Sequence, residues 1–297
     1  MGGGRVSGDA PALDALLAAL RPKLHRYCAR MTGSVIDGED VVQEALVKAL
    51  EAAPAATPIA HPEAWLFRIA HNAALDFLRR RARLEALSAE EDLAMLVDPV
   101  SITEQRQAAA TSLRTFMRLP PAQRSSVVLM DVLGYSLEEI SGITATSIAA
   151  IKASLHRGRA RLRELALEPD DAPLPDLAEP ERSRLRRYVE RFNARDFDAV
   201  RDMLADEVRL ELVNRRRLTG RRDVVPYFEN YARIHNWQFA VGVVDGRPAV
   251  VVRDPTQAES PATYFILLDW QDGRLVAIRD FHFARYAMEG AELVILE

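Results

Sequence analysis

Residues 168–181 read EPDDAPLPDLAEPE, with four prolines (Pro169, Pro173, Pro175, Pro180), six acids (Glu168, Asp170, Asp171, Asp176, Glu179, Glu181) and no base. Proline removes a backbone donor and clashes with a preceding helical turn, and like charges repel, so this stretch is expected to be an extended linker. It separates a segment ending at Leu167 from one beginning at Arg182, in a chain of 297 residues long enough for two domains of roughly 100–200 residues. Charge divides at the same place. The whole chain carries −4, but residues 1–167 hold 20 Lys plus Arg against 19 Asp plus Glu, a net of +1, which leaves −5 for residues 168–297. The overall deficit of bases is therefore an average over unlike halves and does not exclude nucleic acid.

With 48% hydrophobic and 28% charged residues the chain can bury cores and lacks the composition of disorder. No run approaches the ~18 apolar residues of a membrane span, and Met1 to Val6 leads into a polar segment without a signal-peptide core. A cytoplasmic protein with no membrane partner is expected. Cys28 is the only cysteine, so an intrachain disulfide and a multi-cysteine zinc site are excluded, and no metal or cofactor is expected.

Up to Leu167 the apolar spacing is helical, broken at 32–37, 54–62 and 88–101. At 100° per residue, Trp65 to Arg83 places Leu66, Ile69, Ala70, Ala73 and Phe77 on one side. Trp65, Arg68, Asn72, Asp76, Arg79 and Arg83 fall in a second stripe. A ring beside guanidinium and amide groups, ending in Arg79-Arg80-Arg81, suits a strand-holding surface; a core tryptophan flanked by solubilising arginines is the other reading. The helix from Asp37 to Ala52 gathers Asp40, Gln43, Glu44 and Glu51 on one face. Acids near its N-terminus favour the helix dipole, and an acidic stripe can also dock a basic partner.

Between Leu119 and Leu165 the pattern is more specific. A helix from Pro121 to Leu133, a Gly134-Tyr135 break, a short helix capped by Ser136 with Glu139, a turn at 144–146 and a longer helix capped by Ser147 make a helix-turn-helix. Residues 152–163 hold Lys152, Arg157, Arg159, Arg161 and Arg163 with His156 and no acid, an electrostatic footprint for phosphate. DNA is the favoured partner.

These residues resemble the small extracytoplasmic-function (ECF) group of sigma-70-type RNA polymerase sigma factors, over roughly residues 10–167 and in the family's order. DGEDVVQEALVKAL (37–50) is similar to the family's polymerase-gripping helix, AWLFRIAHNAALDFLRRRAR (64–83) to its minus-ten helix, and LPPAQRSSVVLMDVLGYSLEEI with AIKASLHRGRARLRE to its minus-35 helix-turn-helix. The resemblance implies that Asp37, Asp40, Gln43 and Glu44 contact core RNA polymerase at the β′ clamp. It implies that Trp65, Arg68, Asn72, Asp76, Arg79 and Arg80 face the melted minus-ten strand. Ser147, Lys152, Ser154, His156 and Arg157 would face promoter DNA upstream, with the helix-turn-helix against the β flap. Two all-α domains are implied, a region 2 domain over 10–87 and a region 4 domain over 113–167. The acid-bearing linker at 88–112 (Glu90, Glu91, Asp92, Asp98, Glu104) would thread towards the polymerase active site. Thr144-Ala145 stands where the family often has Leu-Gly, and Ala153-Ser154 where it often has Ser-Arg, so fewer long side chains can read bases.

Beyond the linker come two helical patterns and then runs at 237–244, 248–253, 263–270 and 274–286, rich in β-branched and aromatic residues, with DGR turns at 245–247 and 272–274. This α+β half, over 182–297, resembles the SnoaL-like branch of the NTF2-like fold, a curved antiparallel sheet wrapped over helices to form an open cone. The resemblance implies a regulatory domain that docks intramolecularly on the sigma domains. Simple alternation along the last strand sets Asp280 and His282 on the face opposite Leu275, Phe281 and Phe283. If the bulkier residues fill the cone, the Asp280–His282 pair lies outside it, available to a protein surface. Tyr227, Trp237 and Tyr264 either line a pocket with that pair or belong to the core. Two other readings stand beside the sigma factor: a one-component helix-turn-helix regulator governed by a ligand in the cone, and an isomerase or cyclase using Asp280 and His282 with a helical appendage.

Overall fold

The computed structural model describes residues 10–53, 59, 61–86, 111–168, 177–256 and 262–296. They form two compact units, Met1–Asp171 and Ala172–Glu297, which divide inside the proline-rich stretch. The end of that stretch is not a linker, however. Leu177 is buried in the core of the second unit and a helix begins at Glu179. Pro180 sits in the first helical turn, where a missing N–H costs nothing, and Glu179 and Glu181 oppose the positive end of the helix dipole.

The first unit opens with α1 (Ala10–Thr32), α2 (Val35–Ala52) and α3 (Pro62–Ala86). Helix α2 starts two residues before the sequence expectation because the Ser34 hydroxyl accepts from the N–H groups of Ile36 and Asp37, at 3.1 and 3.3 Å. Gly38 lets α1 and α2 cross closely: a Cβ there would lie 2.6 Å from the Ala29 backbone. The segment 88–112, with its expected path towards the polymerase active site, lies almost wholly outside the described residues. Then follow α4 (Leu113–Met117), α5 (Pro121–Val127) continued by a π turn (Val128–Val132), α6 (Leu137–Thr144) and α7 (Ile148–Leu165).

The helices on either side of the segment 88–112 share one hydrophobic cluster. In it, Tyr27 from α1 and Leu66 and Phe67 from α3 join Phe116, Leu129, Tyr135 and Ile140. A buried cation fastens the junction. The Arg124 guanidinium donates to the carbonyl of Met31 at the end of α1 and to those of Met117 and Leu119, the latter two at 3.1 and 2.8 Å. Burial lowers its pKa to about 10; three carbonyls accept from its terminal nitrogens, while its buried Nε has no partner among the described residues.

The second unit contains α8 (Glu179–Asn193), α9 (Phe197–Asp202) and α10 (Arg221–Arg233) with strands β1 (Leu204–Leu212), β2 (Arg216–Thr219), β3 (Gln238–Val244), β4 (Arg247–Arg253), β5 (Tyr264–Gln271), β6 (Arg274–Asp280) and β7 (Leu293–Ile295). The sheet order is β2-β1-β6-β5-β4-β3-β7. It departs from the expected all-antiparallel sheet at one seam, since β1 and β6 run parallel. Both DGR turns form as two-residue hairpin loops with positive φ at Asp245 and Gly246 (49° and 76°) and at Asp272 and Gly273 (50° and 75°). That twist matches the flanking strands.

The last strand corrects the expected facing of Asp280. Asp269 pairs with Ala277 but Trp270 pairs with Leu275, so Val276 is an extra residue in a β-bulge. The bulge reverses the alternation, and Leu275, Ile278 and Asp280 all turn to the core side. Phe281 stacks instead on Phe265, centroids 4.2 Å apart, and Phe283 is 41% exposed.

Candidate nucleic-acid and polymerase interface

Helix α2 is held by Ala45, Val42 and Ala49 against the core, which leaves Asp40 exposed and Gln43 and Glu44 half-buried. Asp37 is different from the other three: it is buried in the first turn and lies 3.8 Å from Arg81. Burial pushes the Glu44 carboxyl up, but hydrogen bonds from Arg80 (2.8 Å) and Lys48 (2.7 Å) outweigh it and hold its pKa below the ordinary value. Sequence reasoning missed Val47 and Leu50, which are 53% and 48% exposed on the outer side of α2. Two large apolar side chains exposed three residues apart, beside Asp40, are unusual for a solvated face; their signal was their place outside the buried stripe.

Along α3, Leu66, Phe67, Ala70, Ala73 and Ala74 are buried, while Arg68, Asn72, Arg79 and Arg80 are exposed. Trp65 is half-buried and packs partly on the core. Asp76 pairs with Arg79 at 2.9 Å. Arg68 donates from Nε and Nη2 to the Gly142 carbonyl in α6, at 2.9 and 2.6 Å. Next to it, Tyr135 donates its hydroxyl to Glu63, Lys23 pairs with Glu63 at 2.6 Å, and the Lys23 ammonium lies 4.1 Å from the Tyr135 ring. The helix expected at the minus-ten strand and the helix-turn-helix thus touch through α3 and α6.

The helix-turn-helix forms as its caps dictate. Ser136 and Glu139 make a reciprocal capping box, and Ser147 caps α7 by accepting from the Ala150 N–H at 3.3 Å. Between the helices Ala145 takes a left-handed conformation, φ 52°, at the place where Gly is usual. On α7, Lys152 and Arg157 are exposed and His156 is half-buried. Ser154 is buried at 8% exposure on the core side, so it is withdrawn from the expected DNA-facing set: one helical turn carries it round beside Ile151 and Leu155. Arg159 is also used internally, with a bidentate pair to Asp131 at 2.8 and 2.5 Å. Gly158 packs tightly on α5, where a Cβ would lie 2.8 Å from Val127.

In the second unit, Tyr227, Tyr231, Tyr264 and Asp280 form one buried network. Asp280 Oδ2 accepts from the hydroxyls of Tyr227 (2.9 Å) and Tyr231 (3.0 Å), Oδ1 accepts from the His282 N–H (2.7 Å), and the Tyr231 and Tyr264 hydroxyls are 2.8 Å apart. Burial raises the Asp280 pKa to about 6, although the hydrogen bonds from His282, Tyr227 and Tyr231 pull it down. Burial and nearby Arg285 lower that of half-buried His282. Trp237 belongs to the core, packed on Phe192 and Phe239 with its N–H donated to the Tyr231 and Ile234 carbonyls.

Three family models match: sigma-70 region 2 over residues 16–84, sigma-70 region 4 over 113–162 and a SnoaL-like domain over 185–278. The chain is 34% identical over 160 residues to the ECF RNA polymerase sigma factor SigM of Mycobacterium tuberculosis, covering 54% of this chain and 80% of that one. It is 32% identical over 158 residues to ECF RNA polymerase sigma factor SigE of Mycolicibacterium smegmatis, covering 52% of this chain and 61% of that one. The crystal structure of the Mycobacterium tuberculosis extracytoplasmic function sigma factor SigJ aligns with 90% of this chain and 95% of its own, at 22% identity and a TM-score of 0.36. Among the described residues no helix is long and apolar enough to cross a membrane. The chain belongs to the extracytoplasmic-function family of sigma-70 RNA polymerase sigma factors and carries a SnoaL-like domain behind its two sigma regions.

Proposed function

We propose that the chain binds core RNA polymerase in the cytoplasm and directs it to promoters, without itself catalysing a reaction. The observation that carries this reading is one of order: an α2 with an acidic outer face, a basic and aromatic α3 and a capped helix-turn-helix follow one another as in the sigma family. In this account α2 grips the β′ clamp through Asp40, Gln43 and Glu44, with Val47 and Leu50 supplying apolar area. Trp65, Asn72, Arg79 and Arg80 hold the melted minus-ten strand, where base stacking on the ring replaces stacking in the duplex. Lys152, His156 and Arg157 meet the upstream duplex, and the helix-turn-helix rests on the β flap.

The SnoaL-like unit modulates that activity through an intramolecular contact with the sigma regions. The charge split supports this: residues 168–181, which lead into the unit, carry six acids and no base, whereas bases concentrate at 79–83 and 152–163, so this acidic stretch can compete with DNA. Retention of purified core polymerase by the full chain, with and without Asp40→Lys and Glu44→Lys, tests the polymerase reading. A sigma factor loses retention on charge reversal, whereas a one-component regulator retains no core in either form.

A further inference from the structure

The SnoaL-like unit holds a cavity of about 420 Å³, within the range of small-molecule sites. Its two ends differ in chemistry. At the inner end lies Asp280, 1% exposed, whose carboxylate accepts three hydrogen bonds from Tyr227, Tyr231 and the His282 backbone. A carboxylate has about four lone-pair sites, so one on Oδ1 remains for a donor. His282 also lines the cavity, and its Nδ1 is buried with no hydrogen-bond partner among the described residues. Buried polar atoms are normally satisfied, so an unpartnered ring nitrogen and a carboxylate with a spare lone pair, on two residues that line one cavity, mark a place for a hydroxyl, which donates and accepts at once.

The outer end is apolar and cationic. Ile234 and Phe283 line the cavity yet stay 44% and 41% exposed, large hydrophobics left open at its mouth. Arg215 and Arg216 line the same rim and are exposed, and the Arg215 guanidinium lies 4.8 Å from the Phe283 ring. Guanidinium groups bind carboxylates bidentately.

We propose that this cavity is a binding site for a small aromatic hydroxy acid, its hydroxyl held between Asp280 and His282, its ring against Phe283 and Ile234, and its carboxylate paired with Arg215 and Arg216. The site lies within the SnoaL-like unit, so the proposal is independent of the polymerase reading. Polymerase is absent from its test, and failure of either leaves the other standing.

The test titrates the full chain with fluorescent 6-hydroxy-2-naphthoate, using 2-naphthoate (no hydroxyl) and 2-naphthol (no carboxylate) for comparison. The expected result is saturable one-to-one binding of 6-hydroxy-2-naphthoate, at least tenfold weaker binding of 2-naphthoate and about fivefold weaker binding of 2-naphthol. Asp280→Asn should weaken the hydroxy acid at least tenfold. The exposed pair Arg215→Ala with Arg216→Ala should weaken it about fivefold and leave 2-naphthol unchanged. Absence of saturable binding to the unaltered chain overturns the proposal. So does equal affinity for 6-hydroxy-2-naphthoate and 2-naphthoate, or an arginine variant that binds the hydroxy acid as the unaltered chain does.

Discussion

The Arg68 guanidinium donates two hydrogen bonds to a single carbonyl, that of Gly142 in α6. Arg68 belongs to the stripe proposed for the minus-ten strand, so in this arrangement the helix-turn-helix already occupies one of the groups that DNA would use. The Tyr135–Glu63–Lys23 cluster reinforces the same contact. If Arg68 engages the minus-ten strand, it must first leave the Gly142 carbonyl.

Removing one hydroxyl should loosen that contact without unfolding the unit. Tyr135→Phe keeps the ring on Phe67 and the Lys23–Glu63 pair but deletes the bond to Glu63, a loss of about 1–3 kcal/mol for a hydrogen bond to a charged partner. Thermal unfolding should shift down by a few degrees, and amide exchange in α6 and in the first turns of α3 should quicken. Unchanged exchange in α6 would show that the contact holds nothing together.

Ala145 should gain from losing its methyl group. Its φ of 52° is a conformation that costs an L-residue about 1–2 kcal/mol and costs glycine nothing. Ala145→Gly is expected to stabilise the first unit by about 1 kcal/mol, read as a higher midpoint in denaturant; a lower midpoint would contradict the assigned turn.

The two units should respond to pH in opposite senses. In the first, burial and then Arg79 lower the His71 pKa to about 4, so its contribution to stability is present above its ordinary value of 6.5 and is lost as pH falls towards 4. In the second, burial raises the Asp280 pKa from 3.8 to about 6, so its contribution is present below 3.8 and is lost as pH rises through 6. Amide exchange resolved by unit between pH 4 and 7, compared with His71→Gln and Asp280→Asn, isolates each. Variants that parallel the unaltered chain across that range would refute the assignment.

Val47 and Leu50 are exposed, so Asp at either position should leave the fold intact. Core polymerase binding is expected to fall at least tenfold for Val47→Asp, measured by fluorescence anisotropy. Binding equal to that of the unaltered chain would place the polymerase surface elsewhere on the molecule.

How far the sequence could be read depends on the range of the forces involved. The Ser136–Glu139 box, the Ser147 cap and the two DGR turns are local devices, and each formed where its residues indicated. Long-range pairing was not legible. The bulge at Val276 arises from the partnership of β6 with β5, and it moved Asp280 from the expected outer face into a buried tyrosine network. Ser154 lies only two residues from Lys152 yet is covered, because the position of α5 rather than the charge pattern decides which side of α7 is exposed. Likewise Leu177 ended the linker early by finding a core that the proline count could not reveal.

The most direct test of the account is run-off transcription with purified core polymerase and a genomic promoter pool, using the full chain and a version ending at Leu167. The account predicts transcripts starting at a shared set of promoter sites, absent with core alone and reduced by Trp65→Ala, with output differing between the two forms. No promoter-dependent transcript from either form would contradict the sigma-factor reading, and equal output from both would contradict a regulatory SnoaL-like unit.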